Sequence, residues 1–535
     1  MYDLVIRASL VYDGSGSAPG PADVAIKEDR IAAVAAPGSL AGDQVVDAYG
    51  LALTPGLIDP HSHSEWALLE GKPPLPKLLQ GITTEILGQD GISVAPIPAA
   101  AAGDWQGALA GLLGQAPHPA TWPTVGAYLA ALARASLPVN AAYLVPHGAL
   151  RMAGPGPEQR PATAGELEAM AGAARQAFRE GAVGLSTGLI YPPCTYASEE
   201  ELVMLAGVVG EFMAPLVVHL RSEGKDLLAS VQEMLRVTIG RSPLHISHLK
   251  LMGKTYASQL GPALELLERS RDRGHAITAD QYPYTAGSTM LAAVLPEWAH
   301  AGGAGQLLAR LHDPAQRETI ARYFTLGPEQ WDNRAFTIGW ESIVISSVRR
   351  DSNRWMEGKH VAEIAAARGL DPVQAVLQLL AEEELAVTMI THYGGEDFLS
   401  HIASRSWVMP CTDGIYGGRP HPRLYGAFPR FFRRFVREEP VLGWAAAVRR
   451  ATSLPAATFR LKGRGLIRPG CFADLVLFDP AKLSDRSTYE EPEQAPAGIY
   501  AVWVNGRLAV QEGRATGEWG GRALLRDREG AGNAS

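Results

Sequence analysis

Leu53-Thr54-Pro55-Gly56-Leu57-Ile58-Asp59-Pro60-His61-Ser62-His63 sets the theme of the chain. A short apolar strand follows Pro-Gly punctuation and turns chemical at its C-terminal end. Seven further segments repeat the theme: Ile82–Gln89, Ala141–His147, Ala182–Leu189, Leu216–Leu220, Leu244–Leu249, Ala276–Tyr282 and Trp407–Asp413. Between them lie amphipathic stretches such as Ala164–Phe178, Glu199–Glu211 and Gly261–Arg273. Eight strands alternating with helices predict right-handed βαβ units closed into a (β/α)8 barrel, the TIM-like form of the α/β class.

Working outward, residues 1–57 read as strands and turns, and the same texture returns at 456–520 in RGLIRPGCFADLVLFD and IYAVWVNGRLAVQEG. Both ends are expected to pair into one small β-sandwich domain beside a catalytic barrel at 58–455. The even strand spacing breaks after the seventh strand, so an insertion at about 286–358 is expected beside the barrel mouth. The polar residues 521–535 are expected to form a flexible tail.

The formal charge is −8, with 47% apolar and 19% charged residues. That gives no basic footprint for nucleic acid or an anionic membrane surface. No apolar run approaches the ~20 residues of a membrane helix, and the start of the chain lacks a signal-peptide pattern. Three cysteines, Cys194, Cys411 and Cys471, are too scattered for a disulfide framework or a CxxC zinc module. The expectation is a cytoplasmic protein acting on a small molecule, with no nucleic-acid or membrane partner; the oligomeric state is not legible.

The strand ends carry the chemistry. His61 and His63 are two apart and share a face. His219 ends the fifth strand, His248 the sixth, Asp280 begins DQY at the seventh, and Asp413 ends the eighth. In a parallel barrel these ends open on one face, where such enzymes hold their active sites. Histidines and carboxylates converging there predict a metal centre, with zinc favoured and manganese or cobalt as substitutes.

The ordered segments LTPGLIDPHSHSE, GITTEILGQDGISVAP, GLSTGLIYPP, HLRSEG, ISHLKLMGK, DQYPYTAGST and TDGIYGGRPHPRLYGAFPRF resemble the D-aminoacylase (N-acyl-D-amino-acid deacylase) family of the amidohydrolase superfamily, over nearly the full length. The resemblance implies one or two zinc ions held by His61, His63, His219, His248 and Asp413, with Asp413 also the general base. It implies an N-acyl-D-amino acid substrate contacted by Tyr191, Lys250, Met252, Tyr282, Ser288 and Arg423. Many relatives carry a cysteine in the turn after the second strand; this chain has Asp90 there, in Gly88-Gln89-Asp90-Gly91. A carboxylate is a harder ligand than thiolate and can bridge two cations through its two oxygens; otherwise it caps a turn.

Each residue has a plainer reading. Lys250 could pair with Glu223, the tyrosines and Met252 could be packing, and Arg423 could be solvated in its Pro-rich loop. A cyclic amidase of the hydantoinase type would want a lysine on the fourth strand, and AVGLSTGL has none. A degenerate barrel serving as a scaffold would have lost ligands, whereas here every expected position but the cysteine is filled.

Overall fold

The computed structural model describes residues 1–70, 75–114, 122–327 and 330–526. Eight parallel strands form the centre: β1 (Leu57–Asp59), β2 (Ile82–Leu87), β3 (Asn140–Pro146), β4 (Gly184–Gly188), β5 (Leu216–His219), β6 (Leu244–Ile246), β7 (Ile277–Gln281) and β8 (Val408–Pro410). They are hydrogen-bonded in chain order, and a parallel bridge between Ser62 and Gly414, just beyond β1 and β8, closes the ring. All but one of their residues are buried, as expected for strands covered on both faces. Helices pack outside, begun by local signals: Thr163 and Glu166 form a capping box for Ala164–Glu180, and Ser198 caps Glu199–Glu211. The (β/α)8 architecture is as the sequence predicts.

The terminal strands join in one eight-stranded sheet along the seam where Leu475–Phe478 runs antiparallel to Gly42–Pro55. Leu4, Val24 and Ile31 from one end share a core with Leu475 and Trp503 from the other. Between β7 and β8 lies a three-stranded antiparallel sheet of Ala286–Met290, Ile343–Ser347 and Thr388–His392, the last in the middle. Its central strand lies beyond the 286–358 of the sequence reading, because the antiparallel partner of Ala286–Met290 arrives only after two more helices, Val361–Arg368 and Pro372–Glu382. The insertion has its own core around Leu291, Leu307, Ile345 and Leu377.

The expected tail also differs in part. Residues 521–526 are tied to the barrel: Ala141 N donates to Arg522 O at 2.9 Å, Leu524 N to Ala141 O at 2.7 Å and Arg526 N to Gly181 O at 2.9 Å. Polar composition concealed a segment held by its backbone. The rest of that expectation, 527–535, lies outside the described residues. Among the described residues no helix is long and apolar enough to cross a membrane.

The ring closes on a buried ionic latch. Asp59, at the end of β1, accepts from Thr412 N at 2.9 Å and Thr412 Oγ1 at 2.5 Å. Lys77, fully buried on the helix Leu75–Leu79, donates to Asp59 Oδ2 (2.6 Å), Ser62 Oγ (2.8 Å) and Thr412 Oγ1 (2.6 Å). Burial pulls the ammonium pKa down, yet Asp59 and Glu85 overcome this and hold it above its ordinary value. Removing one partner of such a pair strands a buried charge. Lys77→Met should therefore cost about 3–5 kcal/mol in denaturant unfolding; a loss below about 1 kcal/mol would show that the latch does not hold the ring.

Candidate metal centre

The strand ends place six side chains in one buried cluster: His61, His63, Asp90, His219, His248 and Asp413, each no more than 5% exposed. Three of them, Asp90 (φ 57°), His248 (φ 33°) and Asp413 (φ 49°), have left-handed backbone, which non-glycine residues seldom adopt. Strain concentrated at a mouth is a mark of a site under functional constraint. Gly188, at the end of β4, serves the same turn: a Cβ there would lie 2.3 Å from Asp90 O.

Asp90 sits at the centre. Its Oδ2 is 3.6 Å from His61 Nε2 and 3.6 Å from His63 Nε2. Asp413 Oδ1 completes that side, 3.6 Å from His61 Nε2 and 3.3 Å from His63 Nε2. Asp90 Oδ1 faces the other way, 3.6 Å from His219 Nδ1 and 3.6 Å from His248 Nε2. Donors bound at ~2.0–2.2 Å to one tetrahedral ion stand roughly 3.3–3.6 Å apart. The observed spacings are those of a cation's coordination edges.

The hydrogen-bond inventory agrees. Among the described residues, both ring nitrogens of His61, His63 and His219, and Asp90 Oδ1, are buried without a hydrogen-bond partner. Asp90 is therefore no turn cap. Charge points the same way. Burial alone would pull His63 down, but Asp413 and Asp90 hold it up at about 10. Burial would raise Asp90 and Asp413; His61, with His219 and His248, keeps Asp90 well below the carboxylate range, and Arg423 and His61 do the same for Asp413. Such a place favours positive charge, and its imidazole and carboxylate donors suit zinc and its neighbours.

The other sequence-predicted residues surround this centre. Tyr191, Lys250, Met252, Tyr282 and Ser288 line the same narrow cavity. Burial pushes the Tyr191 and Tyr282 hydroxyls far up, so both are neutral phenols. Ser288 Oγ is buried with no hydrogen-bond partner among the described residues. Arg423 lies behind this lining, fully buried: Nη1 is 2.8 Å from Asp413 Oδ2, Nη2 donates to Ser288 O at 2.9 Å, and the guanidinium stacks over Tyr282. It is not a solvated loop arginine. Lys250, while lining the cavity, is also paired as in its plainer reading, donating to Glu223 Oε1 at 2.5 Å, to His248 Nδ1 at 2.8 Å and to His248 O at 3.2 Å.

Glu223 and Arg334 join the lining without having been read as site residues. Glu223 stands four residues past His219 in HLRSEG, a spacing that offered a signal. Arg334 lies in the insertion, where nothing marks a strand end. Glu223, Met252 and Arg334 also border an outer chamber of about 300 Å³ walled by Trp298, Tyr323 and Trp331.

A closed parallel barrel with histidines and aspartates converging at its mouth defines a metal-dependent hydrolase of the barrel type. A model described as the amidohydrolase family matches residues 44–510. The chain is similar to a D-aminoacylase of Alcaligenes xylosoxydans xylosoxydans, 34% identical and covering 98% of each chain. It superposes on the N-acyl-D-glutamate deacylase of Bordetella bronchiseptica, solved with zinc and a phosphonate mimic of the tetrahedral intermediate, with TM-score 0.82, 33% identity and coverage of 98% and 99%. A D-aminoacylase structure described as having a binuclear metal centre, with one-metal activation and second-metal attenuation, matches at TM-score 0.82 and 31% identity, covering 98% of this chain and 100% of that one. This chain belongs to the amidohydrolase family.

If Asp90 shares its oxygens between two cation positions, Asp90→Ala should lower bound metal from about two equivalents to one or fewer. Metal content measured by plasma mass spectrometry that stays at the wild-type value would place Asp90 outside the centre.

Proposed function

We propose that this protein hydrolyses the amide bond of N-acyl-D-amino acids, releasing a carboxylate and a D-amino acid, with zinc as the favoured metal. The observation that carries the reading is the split of the Asp90 carboxylate between two histidine pairs, with Asp413 beside one of them. His61, His63, Asp90 and Asp413 would hold one ion, and Asp90, His219 and His248 a second. The D configuration of the substrate rests on the similarity to D-aminoacylase.

A metal bound there acidifies water toward neutral pH and polarises the carbonyl. The protein supplies the remainder. Asp413, kept ionised by Arg423, is poised to accept the water proton through Oδ1 and to deliver it to the departing amine. Tyr191 stays a protonated phenol at the cavity wall, anchored to Thr289 Oγ1 at 2.8 Å, and is available to donate to the developing oxyanion. The α-carboxylate fits against Tyr282 and the unpartnered Ser288 Oγ, with Arg423 behind them supplying positive charge. Met252 marks the passage to the outer chamber, which accommodates the bulk of the substrate. The fourth strand, Gly184–Gly188, offers no lysine to carry the bridging carbamate of a cyclic amidase.

Asp413→Asn should retain most of the metal yet lose at least ~10²-fold in kcat toward the preferred substrate in a panel of N-acetyl-D- and L-amino acids. Half of wild-type turnover would remove Asp413 as the base, and turnover of the L series alone would overturn the substrate assignment. Ser288→Ala should lower kcat/KM for free acids by about tenfold or more while sparing the α-amides, since hydrogen bonds to charged groups contribute ~1.5–3 kcal/mol. Equal losses on acids and amides would place Ser288 outside carboxylate recognition.

A further inference from the structure

Glu223 faces the two imidazoles of the second cation position from the side opposite Asp90. His219 presents Nδ1 to Asp90 Oδ1 at 3.6 Å and Nε2 to Glu223 Oε2 at 3.4 Å. His248 is turned the other way, with Nε2 3.6 Å from Asp90 Oδ1 and Nδ1 3.1 Å from Glu223 Oε1. One carboxylate, 5% exposed, thus stands behind the far nitrogen of both rings.

A neutral imidazole has one N–H and one lone pair. To bind a cation on the Asp90 side, His219 must carry its proton on Nε2 and His248 on Nδ1, which are opposite tautomers. An ionised carboxylate only accepts, so Glu223 favours both at once, although its 3.4 Å approach to His219 Nε2 is not a formed hydrogen bond. Carboxylates behind ligating histidines generally fix ring orientation and tautomer in this way.

Lys250 makes the arrangement conditional. Its Nζ lies 2.5 Å from Glu223 Oε1 and 2.8 Å from His248 Nδ1. Lys250 is a pure donor, so it bonds His248 Nδ1 only while that nitrogen holds the lone pair, whereas its bond to His248 O at 3.2 Å holds in either tautomer. With the proton on Nδ1, two donors would face each other. Lys250, still held by Glu223 Oε1 and His248 O, then has one N–H free to turn into the cavity that it lines.

We propose that Glu223 is the positioning residue that sets the tautomers of His219 and His248, and that metal loading redirects a Lys250 N–H from His248 to the substrate. The inference rests on the metal reading given above. It is tested on full-length protein, stripped with chelator and titrated with zinc against a competing indicator. Glu223→Gln should weaken the second zinc by about 10–100-fold, and Glu223→Asp, which remains a pure acceptor, should recover part of the loss. Nitrogen-15 spectra of histidine-labelled, zinc-loaded wild type should show one ring protonated on Nδ1 and another on Nε2, a readout that needs no variant to fold. Both variants within about threefold of wild type, or a single tautomer for both rings, would overturn the role of Glu223 and leave the metal centre standing. A wild type that binds no zinc would overturn both.

Discussion

Six imidazole nitrogens, those of His61, His63 and His219, are buried with no hydrogen-bond partner among the described residues, around a carboxylate oxygen of Asp90 in the same condition. Each unsatisfied buried polar group costs on the order of 1–3 kcal/mol, so a fold that gathers this many at one spot has given up stability there. Cations held there would remove part of that debt, taking one lone pair from each ring together with the carboxylate's negative charge. The rest of the molecule can be understood as holding that cluster in place. The barrel aims the strand ends inward, the Asp59–Lys77–Thr412 latch closes the ring where His61 and Asp413 emerge, and the insertion walls the mouth with Ser288, Thr289 and Arg334.

Much of this was legible in the sequence because strand ends obey a simple rule. Most of the apolar runs end in or beside His or Asp, the fourth, Ala182–Leu189, being without either, and all eight are strands. The placement of Asp90 follows from the same rule plus a glycine-rich turn. Less could be read where side chains act beyond the strand. His248 and Asp413, read as strand ends and as members of the centre, lie past Ile246 and Pro410 where the strands stop, and reach the centre through left-handed backbone that no alternation pattern anticipates. Lys77, on a five-residue helix, looks like an ordinary surface lysine until the latch is seen.

The cationic side chains are the instructive case. Lys250 and Arg423 were both expected to grip the substrate, and both are already paired, with Glu223 and Asp413. Charge balance explains this. A buried mouth rich in ionised carboxylates must be compensated before any ligand arrives, and the nearest cations do so. Arg423, fully buried behind the cavity lining, is committed to Asp413 and would act on a substrate carboxylate only through its charge, whereas Lys250 would be released only if His248 gave up its hydrogen bond. The residues that shape the outer chamber, Trp298, Tyr323, Trp331 and Arg334, lie in the insertion, whose sequence carries no barrel periodicity to point to them.

The most direct test of the account is anomalous diffraction at the zinc edge from crystals of the zinc-loaded protein. Two peaks about 3.5–4 Å apart, one between His61, His63 and Asp413 and the other between His219 and His248, with Asp90 reaching both, are the expected result. A single peak with Asp90 turned away from it, or zinc bound elsewhere, would contradict the claim that the Asp90 carboxylate joins two cation positions at the barrel mouth.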